Sequence, residues 1–132
     1  MSDMKPFLYT LDENKRPVPC ADALEWARWF ETDGERRRLA LTCFDGDIEV
    51  STIFLGINHR FIGSGPPILF ETLVFYARGG EDVRTGTLRR YCTRDEAMEG
   101  HELIVRDVRL QIELTHVSAA DAIAAIMVRA RA

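Results

Sequence analysis

The sequence predicts an α+β fold, an antiparallel meander sheet of about four to five strands with two to three helices packed on it. Three observations carry this. Strand-like apolar runs over 38–43, 47–56 and 68–76 are set apart by turn and loop signals. Between Ala21 and Thr32 the apolar spacing changes to that of a helix. Thr93-Arg94-Asp95-Glu96 has the form of a helix capping box.

Taken in order, Phe7, Tyr9 and Leu11 alternate with Leu8 and Thr10 and suggest a short first strand. Asp12-Glu13-Asn14-Lys15 turns the chain, and Pro17 and Pro19 break any helix there. Ala23, Trp26, Ala27 and Phe30 then lie at i, i+3, i+4 and i+7, an apolar stripe suited to core packing, and Gly34 stops that helix. Leu39, Leu41 and Cys43 alternate with Arg38, Ala40 and Thr42 ahead of Asp45-Gly46, a two-residue hairpin signal. On the return run Ile48, Val50, Thr52 and Phe54 share one face. After a loop, residues 68–76 form a third strand. Gly79-Gly80 through Gly86 reads as a second loop, and Leu88–Cys92 as a shorter fourth strand. Every connection is short enough for antiparallel neighbours.

The capping box starts a helix running from Arg94 to about Arg106, with Ala97, His101, Ile104 and Val108 on one face. Beyond it two readings stay open. Val108, Leu110, Ile112 and Leu114 alternate as in a strand, yet no Gly or Pro separates them from the helix. Ser118 can cap a last helix over 119–131, with Arg129 and Arg131 favourably placed at its C-terminal dipole. The expected organisation is one α+β domain over 1–132. Residues 1–106 form its core unit, and 107–132 an apolar, Ala-rich C-terminal extension. A helix apolar on most sides must be buried in its own core or against another chain. Ile123, Ile126, Met127 and Ala130 are therefore candidate interface residues, and a homodimer is a candidate assembly.

Composition bounds the function. The 132 residues carry 17 Lys+Arg against 21 Asp+Glu, a net charge of −4, which disfavours non-specific binding to nucleic acid or to an anionic membrane. No apolar run approaches the ~20 residues of a membrane span, and charges within residues 1–15 do not fit a secretory signal. Cys20, Cys43 and Cys92 are odd in number and far apart, fitting neither a disulfide framework nor close zinc pairs. They read as small buried hydrophobes in a cytoplasmic protein.

Chemistry is sparse. The segment Gly56–Pro67 combines three glycines, two prolines, His59 and Arg60 between two apolar strands. Glycines allow close backbone approach to a ligand, and successive N–H groups can form an anion-binding concavity. Asn58, His59, Arg60 and Ser64 are therefore candidate ligand-binding residues, although no phosphate-loop pattern is present and the segment also reads as an ordered turn. Glu71 lies in the apolar run Phe70–Phe75 and has three readings: a partner for Arg60, Arg90 or His101, an acid or base in a pocket, or a residue facing solvent. His101, on the apolar side of its helix, reads first as a hydrogen-bonded core histidine and second as a ligand, so Glu71 and His101 join the candidate ligand-binding residues. His59, Glu71 and His101 together have no metal-ligand spacing, so neither a metal nor a cofactor is expected. No nucleophile motif is present either.

Several segments form an ordered set: Trp26-Ala27-Arg28-Trp29-Phe30, then Val50 through His59, then Gly65 through Phe75, then Arg90-Tyr91-Cys92-Thr93 and Glu96 through His101. Over about residues 8–106 this set resembles a group of short uncharacterised proteins encoded by bacteriophages and prophages. That pattern commonly has an Asp where this chain has Asn58, so a role needing a carboxylate there does not carry over. The resemblance implies a genomic setting and no catalytic residue. In that setting the expected function is a non-enzymatic accessory protein that binds a host protein or complex in the host cytoplasm, with inhibition of host defence, as by anti-CRISPR proteins, as one form. The alternative is a small module that binds a nucleotide-like ligand at loop 56–67.

Overall fold

The computed structural model describes residues 6–32, 34–44, 48–78, 81–115 and 126–128. Strands β1 (Tyr9–Leu11) and β2 (Pro17–Pro19) form a small hairpin, followed by helix α1 (Ala23–Thr32) and a 3₁₀ turn over Gly34–Arg37. Strands β3 (Arg38–Phe44), β4 (Ile48–Phe54), β5 (Phe70–Arg78) and β6 (Glu81–Tyr91) form an antiparallel sheet in sequential order. Helix α2 (Arg94–Thr115) crosses it. The α+β class and the meander expected from the sequence are both present.

The hairpin was not expected, because its second strand begins and ends in proline. Its ladder explains how this is tolerated. Asp12 N–H donates to Arg16 O and Cys20 N–H donates to Leu8 O, both at 2.9 Å. Hydrogen-bonded pairs therefore alternate with Leu11↔Pro17 and Tyr9↔Pro19, where the strand nitrogen points away from its neighbour. The missing N–H groups cost no ladder bond.

Helix α1 is capped by Asp22, whose carboxylate accepts the N–H of Leu24 at 2.9 Å and of Glu25 at 3.3 Å. Its stripe departs from expectation. No residue of α1 is buried, and Trp26, Trp29 and Phe30 are only half-buried. The ring nearest the core is Trp29, edge-on to Phe54 at 5.9 Å. Trp26 instead ties three segments together, its indole N–H donating to Tyr9 O (2.9 Å) and Gly56 O (3.0 Å). The Arg37 guanidinium covers Phe30 at 3.8 Å.

Two further boundaries move. Arg78 pairs with Glu81, so β6 begins at Glu81 and residues 81–86 of the expected loop are strand, while 79–80 lie outside the described residues. Glycine at residue 86 is outweighed by Val83, Thr85 and Thr87 and by pairing with β5. β3 ends at Phe44 and β4 begins at Ile48, and these two residues pair. The Asp45-Gly46 signal therefore lies outside the described residues.

The ambiguity after Arg106 resolves as helix. Ala97, His101, Ile104, Val105 and Val108 are buried at i, i+4, i+7, i+8 and i+11, and Ile112 packs against the same core. Leu110, which a strand would have turned inward, is 45% exposed. The division expected at residue 106 therefore falls inside α2. Residues 126–128 are helical, and Ile126 is buried with Ile48, Val50, Val74, Ile104, Val105 and Val108. A second apolar cluster, Tyr9, Leu11, Phe54, Leu69, Phe70, Tyr91 and Ala97, fills the other end of the same sheet face. Of the cysteines, Cys20 and Cys92 are half-buried and Cys43 is exposed, so none is the buried hydrophobe expected. Cys43 sits on the sheet face turned away from α2, opposite Glu49.

Gly100 sets how closely α2 approaches β6. A Cβ there would meet the Tyr91 ring at 2.2 to 2.4 Å. Gly100→Ala should therefore destabilise the protein by about 1–3 kcal/mol through overpacking, although alanine is the better helix former by about 1 kcal/mol. Urea unfolding reads the sign directly, and a stabilised variant would contradict the tight contact.

Candidate functional site

The most connected group of polar side chains lies in the core. Thr42 on β3, Thr52 on β4, Thr72 on β5 and Tyr91 on β6 all turn toward α2, because Thr42 pairs with Val50, Thr52 with Thr72 and Phe70 with Tyr91 in register. His101 meets them from the helix. Its Nε2 is 2.9 Å from Thr42 Oγ1 and its Nδ1 is 2.8 Å from Thr52 Oγ1. Thr52 and Thr72 hydroxyls are 2.6 Å apart, and Thr72 Oγ1 is 3.0 Å from the Tyr91 hydroxyl. This belt links all four strands and separates the two apolar clusters.

Proton counting selects a direction. Thr52, Thr72 and Tyr91 are buried, whereas Thr42 is half-buried. Every fully buried hydroxyl is satisfied when Tyr91 donates to Thr72, Thr72 to Thr52, and Thr52 to His101 Nδ1. Nε2–H then donates to Thr42, whose own proton is left at the periphery. Burial holds the imidazole below its ordinary value of 6.5, opposed in part by the Glu102 carboxylate, and so favours the neutral ring this scheme needs. Burial also raises the Tyr91 phenol above 10, opposed by the Thr72 hydrogen bond and the Arg89 charge. His101 is 1% exposed, which makes it the hydrogen-bonded core histidine of the first reading.

Glu71 is not brought to His101. It pairs with Ile53 beside the Thr52↔Thr72 pair, so strand alternation places it on the opposite face of the sheet. There it is 5% exposed, which overturns the solvent-facing reading, and it lies directly across from Arg90, whose Nε is 3.5 Å from its carboxylate. His59 lies in the loop beyond β4. The three residues are thus not one site, and no group of three or more His, Cys, Asp or Glu positioned for a metal occurs among the described residues.

Loop 56–67 is built around its own polar residues. Asn58 is buried, and its side-chain oxygen accepts the N–H of Arg60 (2.9 Å) and of Ile68 (3.0 Å). Its backbone N–H donates to Phe7 O, and that of His59 to Ile68 O. Arg60 Nε donates to Pro66 O at 2.7 Å, and its Nη2 lies 3.8 Å from Cys92 Sγ. Gly65, at φ +143°, lets the guanidinium lie flat against the backbone, since a Cβ there would sit 3.2 Å from Cζ. His59 donates Nδ1–H to Ile57 O at 2.9 Å and packs on Phe61, with ring centroids 5.3 Å apart. Asn58 and Arg60, expected as ligand contacts, hold the loop closed. Ser64 is exposed. The tip carries Phe61 and Ile62, 69% and 90% exposed. In the sequence these two stand out only as apolar residues within a segment rich in His, Arg, Gly and Pro.

Of the candidate interface residues, Ile126 is buried in the chain's own core and Met127 packs against that cluster. Ile123 and Ala130 lie outside the described residues. A cleft of about 600 Å³ opens between the β1–β2 turn and the 3₁₀ turn, lined by Leu11, Asp12, Glu13, Lys15, Glu35 and Arg36. No local signal could have shown it, because two turns distant in sequence form its walls. Lys15 there has φ +59° and donates from Nζ to Arg38 O at 2.8 Å. No helix among the described residues is long and apolar enough to cross a membrane.

The chain matches no protein-family model, no curated protein and no solved structure with which it was compared.

The belt makes stability depend on pH. Below about pH 6.5 the unfolded chain takes up a proton that native His101 refuses, so acidification favours unfolding, by at most about 1.4 kcal/mol per pH unit from this group. His101→Gln should be less stable at neutral pH and lose stability less steeply between pH 7 and 5.5 in urea melts. Equal slopes for the two proteins would remove His101 as the source. Thr72→Val strands the Tyr91 hydroxyl and should cost about 1–3 kcal/mol. Thr52→Val should add less in its presence than alone, which a double-mutant cycle measures.

Proposed function

We propose that this chain is a non-enzymatic accessory protein that acts by binding another protein through the tip of loop 56–67. The observation that carries this reading is the pair Phe61 and Ile62, held out at 69% and 90% exposure by a loop closed through Asn58 and Arg60. An aromatic and an aliphatic side chain on a preorganised loop suit an interface anchor, because little conformational freedom remains to be lost on binding. Burying such side chains contributes about 1.5–3 kcal/mol each. The resemblance to bacteriophage and prophage proteins makes a host protein or complex in the host cytoplasm the expected partner, with inhibition of host defence, as by anti-CRISPR proteins, as one such role.

The nucleotide-binding alternative draws less support. The Arg60 Nε–H that would donate to an anion already donates to Pro66 O inside the loop.

The test compares affinity capture from bacterial lysate by the wild type and by Phe61→Ser/Ile62→Ser. A specific partner retained by the wild type should be lost with the double variant while its melting temperature is unchanged. Recovery that ignores the double substitution, or no partner in any arm, would overturn the reading. A melting temperature raised by nucleotides would favour the ligand alternative instead.

A further inference from the structure

We infer that the belt is an acid-operated latch: a proton taken up by His101 reverses each hydrogen bond from Thr52 to Tyr91 and opens the molecule at the Tyr91 end. In the neutral belt donation runs from Tyr91 through Thr72 and Thr52 to His101 Nδ1, and Nε2–H donates to Thr42. A protonated imidazole donates from both nitrogens and accepts at neither. Thr52 must then accept from Nδ1–H, so its own proton turns to Thr72, and the proton of Thr72 turns to the Tyr91 oxygen. The hydroxyl protons of Thr52, Thr72 and Tyr91 now share two gaps between oxygens, and one proton is left over. It is the phenol's, because the path ends at Tyr91. Among the described residues Thr72 is the one hydrogen-bond partner of that hydroxyl, and the ring packs against Gly100, which has no side chain to accept the proton.

The groups facing the imidazole do not absorb this change. β3, β4 and β5 present the hydroxyls of Thr42, Thr52 and Thr72, and β6 presents Tyr91 with the Arg89 charge acting on its phenol. On α2 itself the charge acting on His101 is the exposed Glu102, which favours proton uptake but accepts nothing from Tyr91. A buried donor without an acceptor is unstable. Tyr91 is 8% exposed and reaches water by a smaller movement than Thr52 or Thr72, both wholly buried. Tyr91 also holds its neighbours: its backbone O accepts the Leu69 N–H at 3.0 Å, and its ring belongs to the second apolar cluster. Its movement toward water therefore loosens β6 from the first turns of α2 and frees the Leu69 N–H. The first cluster, with Val50 and Val74, stays in place. The proton binds at one end of the path and the structure opens at the other.

That separation supplies the experiment, a nuclear magnetic resonance titration of the full chain from about pH 7.5 to about pH 4.5. The phenolic carbon of Tyr91, which senses whether its oxygen donates or accepts, should shift with the same midpoint as the His101 ring. Over that range the Leu69 amide should lose protection from hydrogen exchange roughly tenfold or more, after correction for the intrinsic rate, while Val50 and Val74 keep theirs. Thr72→Val cuts the path, so His101 should still titrate while Tyr91 and Leu69 no longer respond. Tyr91→Phe leaves the extra proton on the wholly buried Thr72 and should lower the pH at which His101 titrates; it carries the test if Thr72→Val does not fold. A His101 that stays neutral until the whole chain unfolds, a Tyr91 signal flat through its titration, or protection lost uniformly across the sheet would each overturn the inference. So would a response that survives Thr72→Val, or an unmoved midpoint in Tyr91→Phe.

Discussion

The constraint on which the rest of this structure depends is that His101 must meet Thr42 and Thr52 at the same time, with Thr72 and Tyr91 completing the chain. Apolar alternation alone leaves a sheet free to slip. A shift of one residue turns every side chain over and is excluded, but a shift of two returns apolar residues to the same face. On β4 that face reads Ile48, Val50, Thr52, Phe54, and on β5 it reads Phe70, Thr72, Val74, Tyr76. A two-residue slip would set Thr52 against an apolar neighbour and strand two buried hydroxyls, at about 1–3 kcal/mol each. The threonines therefore mark the register that hydrophobicity leaves degenerate. His101 does the same for α2, since sliding by a turn would put Ala97 or Val105 against the threonine pair.

Once register and helix position are set, the remaining packing follows. The belt divides the core into an end filled by Ile48, Val50, Val74 and α2, and an end filled by Phe54, Phe70 and the β1–β2 hairpin. Gly100 gives Tyr91 room to reach the belt, and Tyr91 belongs both to the second cluster and to the hydrogen-bonded chain. The loop after β4 leaves from that same end. Its closure by Asn58, and the tie from Trp26 to Gly56, rest on strands whose register is already fixed.

Much of this was legible in the residues and part was not, for separable reasons. The meander, the face shared by Ile48, Val50, Thr52 and Phe54, and the capping box at Thr93 are local patterns, and they stand. The box differs in one bond. Glu96 N–H donates to Thr93 Oγ1 at 3.1 Å, while the Glu96 carboxylate accepts from the Thr93 hydroxyl at 2.9 Å rather than from its N–H. The strand at Pro17–Pro19 was hidden because proline reads as a break unless one knows which nitrogens face the neighbour. The helix through residue 115 was ambiguous because the apolar positions after Val108 suit both periods, and only the exposure of Leu110 separates them. His101 was legible as a core histidine. Its partners were not, since Thr42, Thr52 and Thr72 meet only after three strands are aligned.

The same accounting bears on function. The side chains that looked chemical, namely His101, Glu71, Asn58 and Arg60, are each engaged where they help determine the fold: in the belt, across from Arg90, and inside the loop. A group held by internal hydrogen bonds must give them up before it binds anything else, at a cost of order 1 kcal/mol or more per bond. Phe61 and Ile62 at the loop tip face no such exchange, because contact there only removes apolar surface from water. Recognition by surface contact is therefore cheaper for this molecule than recognition through its polar residues.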